Sequence, residues 1–364
     1  MSTGTQKKKR IFYFDALRAL AILTVVLYHV FNTVTIKGNP HFFTAQPSIS
    51  WIAASFFGNY TRIGVDIFLM LSGALSLGRD WDIKTFLGKR IPRIVLPFLF
   101  WGFVLCVGVI LVGAQYPHIF KPLHNWTIMG FLDYLKNCYL SHNSAFRPYW
   151  FFWMILGTYL IMPIYNKWLA NADLKEVEYF LAIWVVTCIF TYTLRMEFPI
   201  QLDYFAGAIG MVVFGYYLRH TQRRILKNPY FIGLLLLLSF MLVICASFGM
   251  PENGNFHRLD RYSIFLVIEV MSIFLLFRYI SEHEMPIKIS DDSILRKGVF
   301  SIAKYSYGLY LVHRPISIFF FGIIASQQVY SFIIVVFILT FIVSWIIMAV
   351  LNRVPYINQV IGAK

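Results

Sequence analysis

Charge is scarce in this 364-residue chain, and negative charge is scarcer still: Asp, Glu, Lys and Arg make up 13% of residues, with 17 acids against 32 bases. A soluble domain usually carries about 25%, so a water-exposed globular fold is excluded. No long polar block interrupts the apolar sequence between Ile11 and Leu351, which leaves no space there for a separate soluble catalytic domain. Cysteine is rare too. Cys106, Cys138, Cys188 and Cys245 lie far apart without a CxxC pair, so neither a cysteine metal site nor a disulfide framework is expected. The sequence also lacks evident internal repeats, and with them the inverted halves that mark many secondary transporters. The net charge of +15 points to no nucleic-acid partner, because the bases form short clusters between apolar runs rather than one stripe.

Apolar sequence is what the chain has in quantity. Hydrophobic residues reach 59%, and the run FIIVVFILTFIVSWIIMAVL at 332–351 has the length that crosses a hydrocarbon layer. The pattern predicts an all-α integral membrane protein with ten transmembrane helices, at about 11–34, 51–78, 94–114, 148–168, 178–194, 203–219, 229–249, 260–280, 299–321 and 329–351. KKKR at 7–10 resembles the start of a signal peptide, but the apolar run behind it is long and no small-residue cleavage site follows. A retained first helix behind a basic tail, 1–10, is therefore expected. With the N-terminus in the cytoplasm, Lys and Arg outside the spans fall about three to one on the cytoplasmic side. Both termini are then cytoplasmic, in a plasma or inner membrane. One membrane domain, 1–364, is expected, with residues 115–147 as its long extracytoplasmic loop.

Ionisable side chains inside such helices are costly and usually line a pathway or a site. The first helix holds Asp15, Arg18 and His29. Eleven residues at 100° each bring Arg18 and His29 onto one face, roughly 16 Å apart, and Asp15 can pair with Arg18 one turn away. In the second, Arg62 and Asp66 are spaced to pair, and Ser72 and Gly73 are small enough for close helix approach. KRIPR at 89–93 sets Arg90 and Arg93 at the cytoplasmic mouth, where two guanidiniums either grip a phosphate or anchor the topology. Near the end, KYSYGLYLVHRP carries Lys304 close to the inner face and His313 in the outer half, with Tyr305, Tyr307 and Tyr310 between them. Glu269 lies in mid-span, suited to neutralise a buried arginine.

Arg18 and His29 as R-x10-H, GVDIFLMLSG at 64–73, RIPR with Arg90 and Arg93, YWFFWMILGTYL at 149–160 and YSYGLYLVHRP at 305–315 occur in an order that resembles the acyltransferase 3 family of membrane O-acyltransferases. The likeness extends over almost the whole chain. It departs from the pattern at FLMLSG, where the family often has paired phenylalanines, and the extra extracytoplasmic esterase-like domain of some members is not expected within these residues.

The resemblance implies acetyl-CoA as a cytoplasmic acyl donor, a hydroxyl of a cell-surface glycan or lipid-linked sugar as acceptor, and no metal. It also implies that Arg18, His29, Arg90 and Arg93 are needed for activity. Asp15 would support Arg18, and Lys304 would help Arg90 and Arg93 hold the CoA phosphates. Arg62, Asp66, Glu269, Tyr305, Tyr310 and His313 would support the site or face the acceptor. His29 would act as general base or as transient acyl carrier, and either role suits an imidazole. A transporter or flippase for a lipid-linked sugar is the rival reading.

Overall fold

Each of the ten apolar ranges is mostly helical where the computed structural model describes it, over residues 11–38, 56–196, 200, 202–248, 259–283, 293–324 and 329–363. The basic tail 1–10 lies outside the described residues. Helix α1 runs Phe12–Gly38. Helical residues 56–60 lead through a 3-10 turn, Thr61–Ile63, into α2, Gly64–Ser76. Then come α3 (Ile83–Gln115), α4 (Ile128–Tyr139), a 3-10 segment Ser144–Tyr149, and α5 (Trp150–Asn171). Helix α6 (Leu174–Thr187) opens with an Asp173–Glu176 capping box and passes into a π turn, Cys188–Leu194. The chain continues with α7 (Asp203–His220), α8 (Pro229–Phe248), α9 (Ile264–Glu282), α10 (Ile294–Ile323) and α11 (Val329–Leu351), and a last turn at Ile357–Val360. No strand occurs among the described residues.

Six helical segments among the described residues are long and apolar enough to cross a membrane: Phe12–Thr33, Ile83–Gln115, Leu174–Leu194, Pro229–Ser247, Ile264–Glu282 and Phe332–Leu351. Helix α10 is 30 residues long but carries Arg296, Lys297, Lys304 and Arg314, which dilute its apolar character. The feature that hides it from a hydropathy count is the one that makes it chemically interesting.

Two boundaries differ from the sequence-based expectation. Helix α3 starts at Ile83 rather than near residue 94, because the Asp82 side chain accepts a hydrogen bond from Thr85 N at 3.0 Å and caps it. Its 33 residues span about 50 Å, well beyond a hydrocarbon core of about 30 Å. Apolarity cannot register the overhanging first turns, which carry Arg90 and Arg93. The segment between α3 and α5 is also more ordered than a plain loop, since it holds α4, capped by the Thr127 hydroxyl accepting from Gly130 N at 3.1 Å.

Helix α1 sits at the centre, packed against α2, α9, α10 and α11, with its largest interface on α10. Leu17, Ala21, Ile22, Val26 and Val30 are fully buried along it. Helices α2 and α7 touch backbone to backbone: a Cβ on Gly73 would strike the Val212 carbonyl, and one on Gly215 the Met70 carbonyl. Gly73 thus meets the expectation of close approach. On α10, Pro315 has no N–H to give the carbonyl of Leu311. The Tyr149 hydroxyl donates to that carbonyl at 3.4 Å instead, fastening the 3-10 segment to the helix.

Candidate active site

Five helices and the C-terminal tail enclose a cavity of about 260 Å³. Its cations are Arg18 from α1, Arg90 and Arg93 from α3, and Lys304 from α10. Arg93 is exposed and the others are half-buried, so the charged end opens at the protein surface. Arg18 meets Asp15 at 3.4 Å, as the one-turn spacing predicts. Arg90, Arg93 and Lys304 form no ion pair with an acid among the described residues. Three cations left without acids around one opening suit a polyanion.

The rest of the wall is largely aromatic and aliphatic: Phe68 and Leu71 from α2, Phe151, Ile155 and Tyr159 from α5, Tyr307 and Tyr310 from α10. Two of the tyrosines are tied to backbone oxygens. Tyr307 donates to Ile94 O at 2.8 Å, and Tyr310 donates to Pro148 O. A cavity that is cationic at one end and apolar within matches a ligand with a charged head and a narrow, less polar arm.

One turn beyond Tyr310 lies the second half of the site. His313 Nε2 stands 3.2 Å from His29 Nδ1, joining residues 284 apart in sequence. The ring nitrogens can be assigned from their partners. His313 Nδ1 faces Tyr310 O at 2.7 Å and Leu309 O at 3.2 Å, and carbonyl oxygens only accept, so this nitrogen carries the hydrogen. In the neutral ring Nε2 is then an acceptor, directed at His29. His29 Nδ1 also faces Val25 O, at 2.9 Å, so it too is protonated and donates. The lone pair of a neutral His29 therefore sits on Nε2, which bonds to no described residue.

Arg314 steadies this pair from outside the cavity. Its Nη1 donates to His29 O at 2.8 Å and to the Thr33 hydroxyl, which itself donates to His29 O at 2.7 Å. Sequence spacing placed Arg314 within a span but gave it no role. The only hint was its position beside His313.

The remaining predicted residues are placed as follows. Tyr305 is buried outside the cavity, with the Lys304 ammonium 5.3 Å from its ring. Tyr307 takes the wall position, because residues 303, 307 and 310 share one helical face and 305 does not. Ser72 lines the cavity, whereas Gly73 serves packing. No ion pair joins Arg62 to Asp66: Arg62 belongs to the 3-10 turn, where each residue turns about 120° rather than 100°, and its guanidinium lies 5.5 Å from the Tyr28 ring. The carboxyl oxygens of Asp66 and Glu269 are buried and make no hydrogen bond among the described residues, and Glu269 pairs with no arginine there.

The sequence has similarities among known proteins. A family described as an acyltransferase domain, of the acyltransferase 3 type, matches residues 11–349. A peptidoglycan O-acetyltransferase of Listeria monocytogenes, OatA, is 26% identical over 196 residues, which is 47% of this chain and 27% of that relative. The match thus takes in about a quarter of the relative's length. No solved structure matches. With the match running through every helix that contributes a wall or a histidine to the site, the chain belongs to the acyltransferase 3 family of membrane acyltransferases.

Proposed function

We propose that this protein is a multi-pass O-acetyltransferase of a plasma or inner membrane that moves an acetyl group from cytoplasmic acetyl-CoA to a hydroxyl of an extracytoplasmic or lipid-linked glycan. The observation that carries the reading is the cavity, which gathers Arg18, Arg90, Arg93 and Lys304 from three helices and ends one turn from the His29–His313 pair. Family membership supports acyl transfer, and the resemblance to a peptidoglycan O-acetyltransferase supports acetyl as cargo and a glycan as acceptor. In this reading the chain is one membrane domain that crosses about ten times with both termini cytoplasmic, which would put the cationic mouth inside and the histidines in the outer half.

The residues fit the donor. Arg90, Arg93 and Lys304 would hold the phosphates, as charge-assisted contacts. Arg18, fixed by Asp15, would direct the arm past Phe68, Phe151 and Tyr310. The bound donor supplies acetyl as a thioester. His29 Nε2 takes the acceptor's hydroxyl proton as the new O–C bond forms and the C–S bond breaks, and the proton passes to the departing thiolate. Alternatively the same lone pair attacks the thioester carbonyl, so that an N–C bond forms as the C–S bond breaks and the thiolate leaves; the acceptor hydroxyl then displaces the imidazole, an O–C bond forming as the N–C bond breaks and the hydroxyl proton passing to solvent, which gives ping-pong kinetics. His313 keeps His29 in the tautomer that either route requires.

The test is acetyl transfer from labelled acetyl-CoA by purified full-length protein in lipid nanodiscs, with His29→Ala as control. Transfer that persists in the control removes His29 from the chemistry. Movement of a lipid-linked sugar across the bilayer without transfer supports a flippase instead. Single cysteines report orientation: positions 37 and 124 should label from outside, and 90 and 224 only after permeabilisation. Labelling of position 90 from outside overturns the donor route.

A further inference from the structure

Helix α4 is fastened along the C-terminal half of α3. The Tyr139 hydroxyl donates to Leu99 O at 2.6 Å, and a Cβ on Gly102 would strike the Tyr139 ring. The rings of Phe103 and Phe131 stand 6.3 Å apart. Helical arithmetic then says what else faces this seam. Cys106 follows Gly102 by four residues and Phe103 by three, so it points between them on the face that both present to α4. Cys138 follows Phe131 by seven residues, two turns less about 20°, and shares its face. Both cysteine side chains are fully buried, as that placement requires. Their thiols lie within hydrogen-bond reach of each other.

A separation of 32 residues in sequence conceals this pair. Packing alone would accept any small side chain at either position, whereas two thiols in contact can also be joined covalently. In the proposed orientation α4 and the end of α3 that it covers lie toward the extracytoplasmic side, where neighbouring cysteines are held oxidised. Cys188, in the π turn after α6, and Cys245, exposed on α8, belong to other elements.

We propose that Cys106 and Cys138 are a disulfide-forming pair that clasps α4 to α3. The inference rests on the proposed orientation for the place where the oxidant acts, but not for the pairing itself. The oxidant is a disulfide-exchange donor of the extracytoplasmic space. One cysteine thiolate attacks the donor's S–S bond, which breaks to give a mixed disulfide and one donor thiolate. The second cysteine thiolate attacks the mixed disulfide, forming the Cys106–Cys138 S–S bond and releasing the second donor thiolate. Two electrons pass from the cysteines to the donor, and the two thiol protons end on the donor's thiols. Because both sulfurs are buried once α4 has packed, the exchange precedes or accompanies that packing. The closed bond braces an edge of the site: α4 ends five residues before Ser144–Tyr149, the segment whose Pro148 O accepts from Tyr310, one turn from His313.

The test is differential thiol labelling of the full-length protein made in cells. The protein is precipitated in acid, denatured with N-ethylmaleimide, reduced, and labelled with iodoacetamide before peptide mass spectrometry. Cys106 and Cys138 should carry the second label together, Cys188 and Cys245 the first, and the unreduced digest should hold a linked peptide lacking the two thiol hydrogens. Cys106→Ser should return Cys138 to the first label, Cys138→Ser should do the same for Cys106, and Cys245→Ser should leave the link intact. Reduction by a membrane-permeant phosphine should lower the thermal midpoint of the wild type in nanodiscs by about 3–8 °C and leave both Cys106→Ser and Cys138→Ser unmoved. In parallel, reduced wild type is treated with diamide, which joins neighbouring thiols without a cellular oxidant. A link that forms only with diamide overturns the bond as a feature of the protein in cells and speaks against the proposed orientation, while leaving acetyl transfer to its own assay. No link in either arm, or one that joins Cys188 or Cys245, overturns the pairing.

Discussion

The two halves of the site handle charge in opposite ways. Around the cavity mouth, Arg90, Arg93 and Lys304 are exposed or half-buried and have no acid partner among the described residues, so their charge is available to a ligand there. At the histidine pair the polar atoms are consumed by the protein: His313 Nδ1, His29 Nδ1 and Arg314 Nη1 all spend their hydrogens on backbone or neighbouring side-chain atoms. The mouth can therefore tolerate movement. The pair cannot, because a proton-transferring nitrogen must be fixed in both direction and tautomer. What the pair leaves open toward the described residues is the lone pair on His29 Nε2.

Substitutions can break this contrast. The largest effect should come from His29→Ala, which should lower acetyl transfer by about 1000-fold or more while acetyl-CoA affinity stays within about twofold. A parallel loss of donor affinity would show that the two halves are not separable. Next is His313→Leu, expected to lower kcat about 10- to 100-fold with the donor KM unchanged. This is a smaller penalty than tautomer loss can impose, because Val25 O still helps to hold His29 Nδ1–H. His313→Gln keeps an acceptor for His29 and a donor for the Tyr310 carbonyl, so it should restore most of the rate. A glutamine variant as slow as leucine would mean that His313 itself moves a proton.

At the mouth the pattern should reverse. Arg90→Ala combined with Arg93→Ala should weaken acetyl-CoA binding about 10- to 100-fold and leave kcat at saturating donor within about threefold. Raising salt should weaken the wild type more than the double variant, since exposed charge pairs are screened. Unchanged binding would reduce both arginines to topology anchors. The smallest effect belongs to the wall. Tyr307→Phe removes one hydrogen bond, to Ile94 O, and should cost about 1 kcal/mol of stability with little change in transfer. A large fall in rate would move Tyr307 from wall to chemistry.

The cationic mouth was legible in sequence because sign and spacing are local properties. Arg90 and Arg93 stand three apart beside a helix start, and Lys304 sits nine residues before a histidine; helical periodicity then does the rest. The contact between His29 and His313 was not, since both were visible as intramembrane imidazoles but spacing within each helix says nothing about 284 residues of separation. Arg314 escaped notice for a related reason: its partners, His29 O and Thr33, lie on another helix. Tyr307 rather than Tyr305 lines the cavity, which follows from helical arithmetic around Tyr310, and the Arg62–Asp66 pair was read on α-helical geometry that a 3-10 turn replaces. The early start of α3 depends on a polar cap, to which apolarity is blind.

Gly362 lines the donor cavity with φ at +82°, a conformation that L side chains rarely adopt, and Trp101 Nε1 holds the neighbouring Ile361 O at 3.1 Å. One wall of the pocket is thus supplied some 340 residues after another, which Arg18 provides. At a synthesis rate of about 5–20 residues per second, a nascent chain would carry Arg18 for tens of seconds before the tail could reach its seat. During that interval the growing protein lacks the finished cavity. The cavity is consequently finished late, and a chain halted short of residue 362 would lack one of its walls.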